Sequence, residues 1–348
     1  MRHPGTGRGE LHLVVVSFLI LFLEISLIRY LSTEIRIFAY VNNLVLLACF
    51  LGMGLGCCRA DPEAPLTSTT AGLSLILLLI TLPLSVPFEG SPLHPFRDAP
   101  TLLSVFSDSP IWYEVRSGRV LLATVLGLSA TLAVCFLIFI AFIPLGRRLG
   151  GLMNAHTQVV RAYSLNVAAG LAGLWVFALF AFAYWPPWTW FTAAGLALAV
   201  VSGRSGRERL ALAIFACTVA WMGFQSDSGN LRTVWSPYQK LALKKLVAGG
   251  MHRGFLLNVN NVGYMALLDL SDDFLRRWPD KLDPARRAFG QYDIPYRIQE
   301  NAKDVLIVGA GGGNDVAGAL RHGVERVTAV EIDPGIIQLG REFHPEAP

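Results

Sequence analysis

Lys303-Asp-Val-Leu-Ile-Val-Gly309-Ala-Gly-Gly-Gly313-Asn-Asp315 is the stretch on which the fold of this chain turns. A short apolar run, Val305 to Val308, leads into a glycine-rich turn. Val316-Ala-Gly-Ala-Leu-Arg-His follows with a helical pattern. A second strand-like run, Arg326-Val-Thr-Ala-Val, ends in Glu331-Ile-Asp333-Pro334. The order is strand, loop, helix, strand. Glycines let a backbone approach a ligand closely, and an acidic residue at the end of the second strand can accept hydrogen bonds from ribose hydroxyls. Glu331 lies 22 positions after Gly309, a separation that suits this role.

The glycine spacing discriminates between nucleoside folds. A dinucleotide fingerprint reads G-x-G-x-x-G, and its third glycine would fall where this chain has Asn314. Gly309, Gly311 and Gly313 read G-x-G-x-G instead, the form typical of class I S-adenosylmethionine-dependent domains. The stretch therefore predicts the first half, β-α-β, of a Rossmann-like nucleoside-binding domain over 301–348. Its candidate cofactor-binding residues are Gly309, Gly311, Gly313, Asn314, Glu331 and Asp333. The competing reading is a tight structural turn with no ligand. His322 and His344 read as helix-surface residues.

Upstream, the chain changes character near residue 226. From there on it holds 15 Lys/Arg and 15 Asp/Glu in 123 residues, an ordinary soluble composition. Residues 226–300 predict a small β-hairpin element and a linker. Two strand-like runs flank Gly249-Gly250, the second being Phe255-Leu-Leu-Asn-Val-Asn-Asn-Val-Gly-Tyr-Met. Pro279, Pro284 and Pro295 punctuate a charged stretch after it.

Residues 1–225 are different in kind. The whole chain is 53% hydrophobic and 16% charged, and most of the apolar excess lies here. That excludes a purely soluble enzyme, a disordered chain and a collagen-like chain. Runs of about 20 apolar residues predict a polytopic helical bundle of about seven spans, near 13–31, 37–57, 70–88, 120–144, 162–184, 187–202 and 210–225. Arg2 and Arg8 before the first span, and Arg147, Arg148, Arg161, Arg204, Arg207 and Arg209 in later loops, lie on one predicted face, which marks it as cytoplasmic. Seven spans would put the soluble part outside, whereas nucleoside cofactors are cytoplasmic. A short segment lying in the interface, or a further element in the 89–119 loop, resolves the conflict, and a cytoplasmic soluble part of a bacterial inner-membrane protein is preferred.

Glu24 is the notable polar residue of the apolar half. A carboxylate inside a span is costly. It reads as a proton or cation site, with Asn42 and Asn43 as neighbours, or as an ion pair with Arg29 or Arg36, or as a protonated acid. Gly52, Gly54 and Gly56, and Gly170 and Gly173, form small-residue faces for close helix packing. Cys49, Cys57, Cys58, Cys135 and Cys217 read as small apolar residues, with palmitoylation of Cys57 and Cys58 as the alternative, and no Cys/His spacing suits a metal. The net charge of +4 comes from the membrane half and reads as topology, not as a nucleic-acid footprint. The expected partners on this reading are the lipid bilayer and a nucleoside donor. A homo-oligomer is left open.

Three stretches carry a family resemblance: Trp235-Ser-Pro-Tyr-Gln239, Val305-Leu-Ile-Val-Gly-Ala-Gly-Gly-Gly-Asn-Asp315 and Ala329-Val-Glu-Ile-Asp-Pro334. In them the sequence resembles the membrane-fused branch of the spermidine synthase (polyamine aminopropyltransferase) family. Phe22-Leu-Glu24 and Arg161-Ala-Tyr-Ser-Leu-Asn166 are also similar. The resemblance implies aminopropyl transfer from decarboxylated S-adenosylmethionine to an amine, with Gln239 touching the nucleoside and Glu331 its ribose. A methyltransferase using S-adenosylmethionine is the enzymatic alternative. A polyamine or cation transporter or sensor is the non-enzymatic one. The chain departs from the family pattern at Gly312, where the family carries an aspartate that holds the amino arm, and at Asn260-Asn261, which replaces a Leu-Asp-Gly element. The diamine signature has no counterpart. The resemblance further implies that the catalytic half lies beyond Pro348, so this chain alone is expected to be an inactive fragment, with its catalytic residues unknown.

Overall fold

A computed structural model describes residues 6–81, 117–203, 205–225, 229–248, 250–279 and 289–347. The chain divides into two compact units, Met1–Ser226 and Asp227–Pro348.

The first unit is helical: α1 Thr6–Glu34, α2 Arg36–Tyr40, α3 Asn43–Cys57, α4 Thr67–Thr81, α5 Ser117–Ala155, α6 Val159–Phe182, α7 Pro187–Val201 and α8 Gly206–Gln225. The expected seven spans are not what these helices provide. Among the described residues, three are long and apolar enough to cross a membrane: Gly7–Glu34, Leu128–Ala155 and Val159–Phe182. Asn43–Cys57, Thr67–Thr81 and Pro187–Val201 are apolar but shorter. Fifteen residues rise only about 22 Å, less than the roughly 30 Å of a hydrocarbon core. Part of the difference is a helix break inside an apolar run. The expected span at 37–57 is cut at Val41-Asn42, between α2 and α3. The expected span at 70–88 is described only as far as Thr81, and the 89–119 loop lies largely outside the described residues. The three long helices still make this a multi-pass membrane protein with the bilayer as a partner.

α1 is the centre of the bundle, packed by α6, α7, α5 and α3, so it is apolar nearly all round. α3 lies close on α5 because Gly52 and Gly56 lack side chains. A Cβ at Gly52 would run into the Phe139 carbonyl, and one at Gly56 into that of Ile143. Gly54 faces open space. Thr69 Oγ1 donates to the Ala141 carbonyl at 2.7 Å, which ties α4 to α5 one turn before Pro144. At one end of the unit the polar residues meet. Glu10 accepts from Arg161 at 3.0 Å and lies 3.3 Å from His156. Arg147 pairs with Asp61 at 3.2 Å, and Glu208 accepts the Leu66 N–H at 3.2 Å.

In the second unit the expected hairpin is a four-stranded antiparallel sheet. Its strands are β1 Arg232–Trp235, β2 Lys240–Ala248, β3 Met251–Val259 and β4 Val262–Leu268, paired in chain order. The run from Phe255 to Met265 is two strands rather than one. Asn260 and Asn261 have φ of 48° and 67° and make the two-residue turn that pairs Val259 with Val262. Asparagine tolerates this left-handed backbone, so Asn-Asn serves here as a hairpin turn. After the short helices α9 Asp272–Arg277 and α10 Ile294–Ile298 come β5 Asp304–Val308, α11 Asn314–Arg321, β6 Arg326–Val330 and α12 Pro334–Phe343. β5 and β6 pair in parallel from Asp304–Arg326 to Val308–Val330.

The core of this unit joins the antiparallel sheet to α12. Leu241, Leu243, Leu257 and Leu267 pack against Ile336 and Leu339 of α12. Each such side chain contributes about 1.5–3 kcal/mol on burial. The parallel pair is more open, with Leu306, Val308 and Val330 exposed.

Candidate functional site

The site is built where β5 and β6 end side by side. β5 stops at Val308, and the N–H groups of Gly309 and Ala310 both donate to the Val330 carbonyl, at 2.8 and 3.0 Å. This folds the chain sharply into the loop. Gly309, Gly311 and Gly313 have φ of 74°, 56° and 105°, a region that glycine occupies without a Cβ penalty. Gly313 then caps the start of α11.

Glu331 follows directly on β6 and turns back to the loop. Its Oε2 accepts the Gly311 N–H at 2.9 Å, and its Oε1 accepts the N–H groups of Ile332 and Asp333 at 2.8 and 3.2 Å. A carboxylate offers about four acceptor positions, so these bonds leave room for one more donor. Beside it, a Cβ placed on Gly309 would meet nothing within 4 Å. Glu331 thus presents a spare acceptor position next to open backbone at Gly309.

The other predicted residues lie around this point but are bonded inside the protein. Asp333 is fully buried. Its Oδ1 accepts the Gly335 N–H at 2.9 Å and so caps α12, while its Oδ2 accepts from Ser236 Oγ at 2.7 Å and from Gln239 Nε2 at 3.1 Å. Gln239 reaches it because Ser236 Oγ holds the turn from β1 to β2, accepting the N–H groups of Tyr238 and Gln239. Asn314 is buried as well. Its Oδ1 accepts the Leu268 N–H at 3.1 Å, and its Nδ2 donates to the Ala266 carbonyl at 2.6 Å and to the Tyr292 hydroxyl at 3.0 Å. The structure thus brings Gly309, Gly311, Gly313 and Glu331 together at the adjacent ends of β5 and β6. Gln239, Asn314 and Asp333 brace the wall between the sheets.

Several neighbours had no signal in the motif. Met265 Sδ accepts the Gly312 N–H at 3.2 Å and lies over Gly311. Leu267 fills the space a side chain at Gly312 would need. Burial raises the Asp315 carboxyl above its ordinary range at the start of α11. His344, expected on a helix surface, is buried. Its Nε2 lies 3.0 Å from Asn314 Oδ1 and its Nδ1 accepts the Glu346 N–H at 3.1 Å. This pattern requires a neutral ring with its proton on Nε2. One signal was legible beforehand: Asp followed by Pro is a helix N-cap with proline at the first position, and it places Asp333 at α12.

The His344 environment gives a pH prediction. Burial holds the imidazole below its ordinary value, with Arg321 adding to the effect and Glu346 and Asp269 opposing it. The unfolded chain therefore takes the proton first. The stability is full above about pH 6.5 and is lost as the pH falls below that value. Hydrogen exchange of the full chain in detergent should show residues 334–347 losing protection on acidification, and His344→Gln should flatten the response. An unchanged response in that variant would assign the effect to another group.

Comparison with known proteins gives a family-level link. Residues 292–347 match the model of the spermine/spermidine synthase domain. The polyamine aminopropyltransferase of Pectobacterium atrosepticum is 43% identical over 53 residues, 15% of this chain and 18% of that protein. That of Pectobacterium carotovorum subsp. carotovorum has the same identity and shares. That of Archaeoglobus fulgidus is 38% identical over 50 residues, 14% of this chain and 19% of that protein. The chain thus matches less than a fifth of the length of these curated relatives. No solved structure matches it. The link is to the transferase family as a whole and rests on the glycine-loop segment, joined here to apolar membrane helices.

Proposed function

We propose that the second unit binds the nucleoside part of an S-adenosyl donor, as one component of a membrane-anchored aminopropyltransferase that acts on an amine. The observation that supports this reading is Glu331 at the ends of two parallel strands, bonded to Gly311 N–H with an acceptor position left over. In the proposal Glu331 accepts from the ribose, the open backbone at Gly309 allows close approach, and Gly311 and Gly313 supply the positive φ that shapes the loop. Gln239, Asn314 and Asp333 hold that geometry. The bound donor, decarboxylated S-adenosylmethionine, would supply a sulfonium-activated carbon for transfer. The soluble unit is placed on the cytoplasmic side of a bacterial inner membrane, where such donors are made.

One observation favours a second reading, methyl transfer from S-adenosylmethionine. Where the family carries an aspartate for the amino arm, Gly312 has no side chain and Leu267 occupies the place of one. The aminopropyl arm thus lacks that anchor.

Calorimetry on the full chain in detergent tests both. Decarboxylated S-adenosylmethionine and S-adenosylmethionine are titrated separately, and the tighter ligand identifies the transferred group. Glu331→Gln should weaken either by about 10- to 100-fold, the worth of a charge-assisted hydrogen bond of about 1.5–3 kcal/mol. Absence of binding by both donors would overturn the proposal.

A further inference from the structure

The membrane unit contains a polar row that the proposed nucleoside site does not use. Glu10, Ser17 and Glu24 recur every seven residues along α1. Seven residues of a straight α-helix fall within about 20° of two full turns, so the three share one face. They are spaced about 10 Å apart along the axis. Glu10 stands at the polar end of the unit beside Arg161 and His156. Ser17 and Glu24 lie deeper, each only 3% exposed, among Leu13, Ile20 and Leu27 of the same helix. Ser17 Oγ and Glu24 Oε2 are buried without a hydrogen-bond partner.

The surroundings restrict what Glu24 can hold. Cys49 of α3 lies within electrostatic reach of Glu24 and of Cys135 of α5. Arg29, on α1 itself, places its guanidinium over the Trp190 ring of α7 at 5.4 Å. Among the described residues no group of metal-ligating side chains forms. A metal cation would need several oxygen ligands, and Ser17 is too far away to share one. An ionised carboxylate without a partner is costly within a bilayer. A proton neutralises it with no further ligand.

We propose that Glu24 is a proton-binding site of the membrane unit. The proposal is independent of the nucleoside reading.

Infrared spectroscopy of the full chain in lipid nanodiscs at neutral pH tests it. The wild-type protein should show a protonated-carboxyl stretch that Glu24→Gln removes and Glu24→Asp shifts. In deuterated water the band should move as the proton exchanges. Glu24→Gln is neutral and of the same shape, so it should assemble as the wild type does. Loss of assembly in that variant would mean that the charge is needed, and would overturn the proposal. So would a spectrum that Glu24→Gln leaves unchanged, or a band abolished by sodium or putrescine, which would identify a cation site instead.

Discussion

Asp333→Ala is expected to release α12 from the antiparallel sheet, at a cost of about 3–5 kcal/mol. The carboxylate is fully buried and holds three donors: the Gly335 N–H, Ser236 Oγ and Gln239 Nε2. Loss of the helix cap costs about 1 kcal/mol. Each buried donor left unsatisfied adds about 1–3 kcal/mol, less for the half-exposed Gln239 than for Ser236. Hydrogen exchange on the full chain in detergent should show the loss at residues 236–241 and 334–343. Asp333→Asn keeps an acceptor for the cap and should lose less. Wild-type protection in Asp333→Ala would show that Asp333 does not brace the wall. Glu331 sits two residues away on the same turn, so donor binding should fall together with that protection.

Gly254→Ala should be the most damaging single methyl addition in the second unit, at about 3 kcal/mol or more. Gly254 lies inside β3 with φ of 126°, opposite Leu246 and Leu268 beside a register shift. A Cβ there would run into the backbone carbonyl of Leu267, which cannot move without breaking the β3–β4 ladder. Leu267 also belongs to the core and closes the space over Gly312, so the damage should reach the glycine loop. Gly323→Ala is the control. Its φ is 75°, but a Cβ there meets nothing, so it should show only the backbone strain of about 1–2 kcal/mol. Urea titration of both variants, followed by exchange in β3 and β4, separates collision from strain. Equal losses would refute the collision argument.

The comparison between expectation and structure is uneven for physical reasons. The strand–glycine–helix–strand order was legible because each part has a local signal: an apolar run, residues that tolerate positive φ, and an acid at a strand end. The antiparallel sheet was seen only as a hairpin because Asn260-Asn261 was read as strand interior, although two asparagines can make the turn alone. At 37–57 a span was expected because hydropathy measures the length of an apolar run, whereas crossing a bilayer requires an unbroken helix. Val41-Asn42 breaks one such run with little change in average apolarity.

The amino-acid sequence by itself determined the division into an apolar and a soluble part, the β-α-β order, and the position of Glu331 relative to the glycine loop. These follow from composition and from short-range spacing along the chain. Only the tertiary structure decided which predicted residues stay at the ends of β5 and β6 and which are spent inside. Gln239, Asn314 and Asp333 meet groups 22 to 97 residues away, and no local pattern encodes those distances. Burial made the difference. A polar side chain taken out of water must find partners within the protein, and which partners it finds depends on how the two sheets pack.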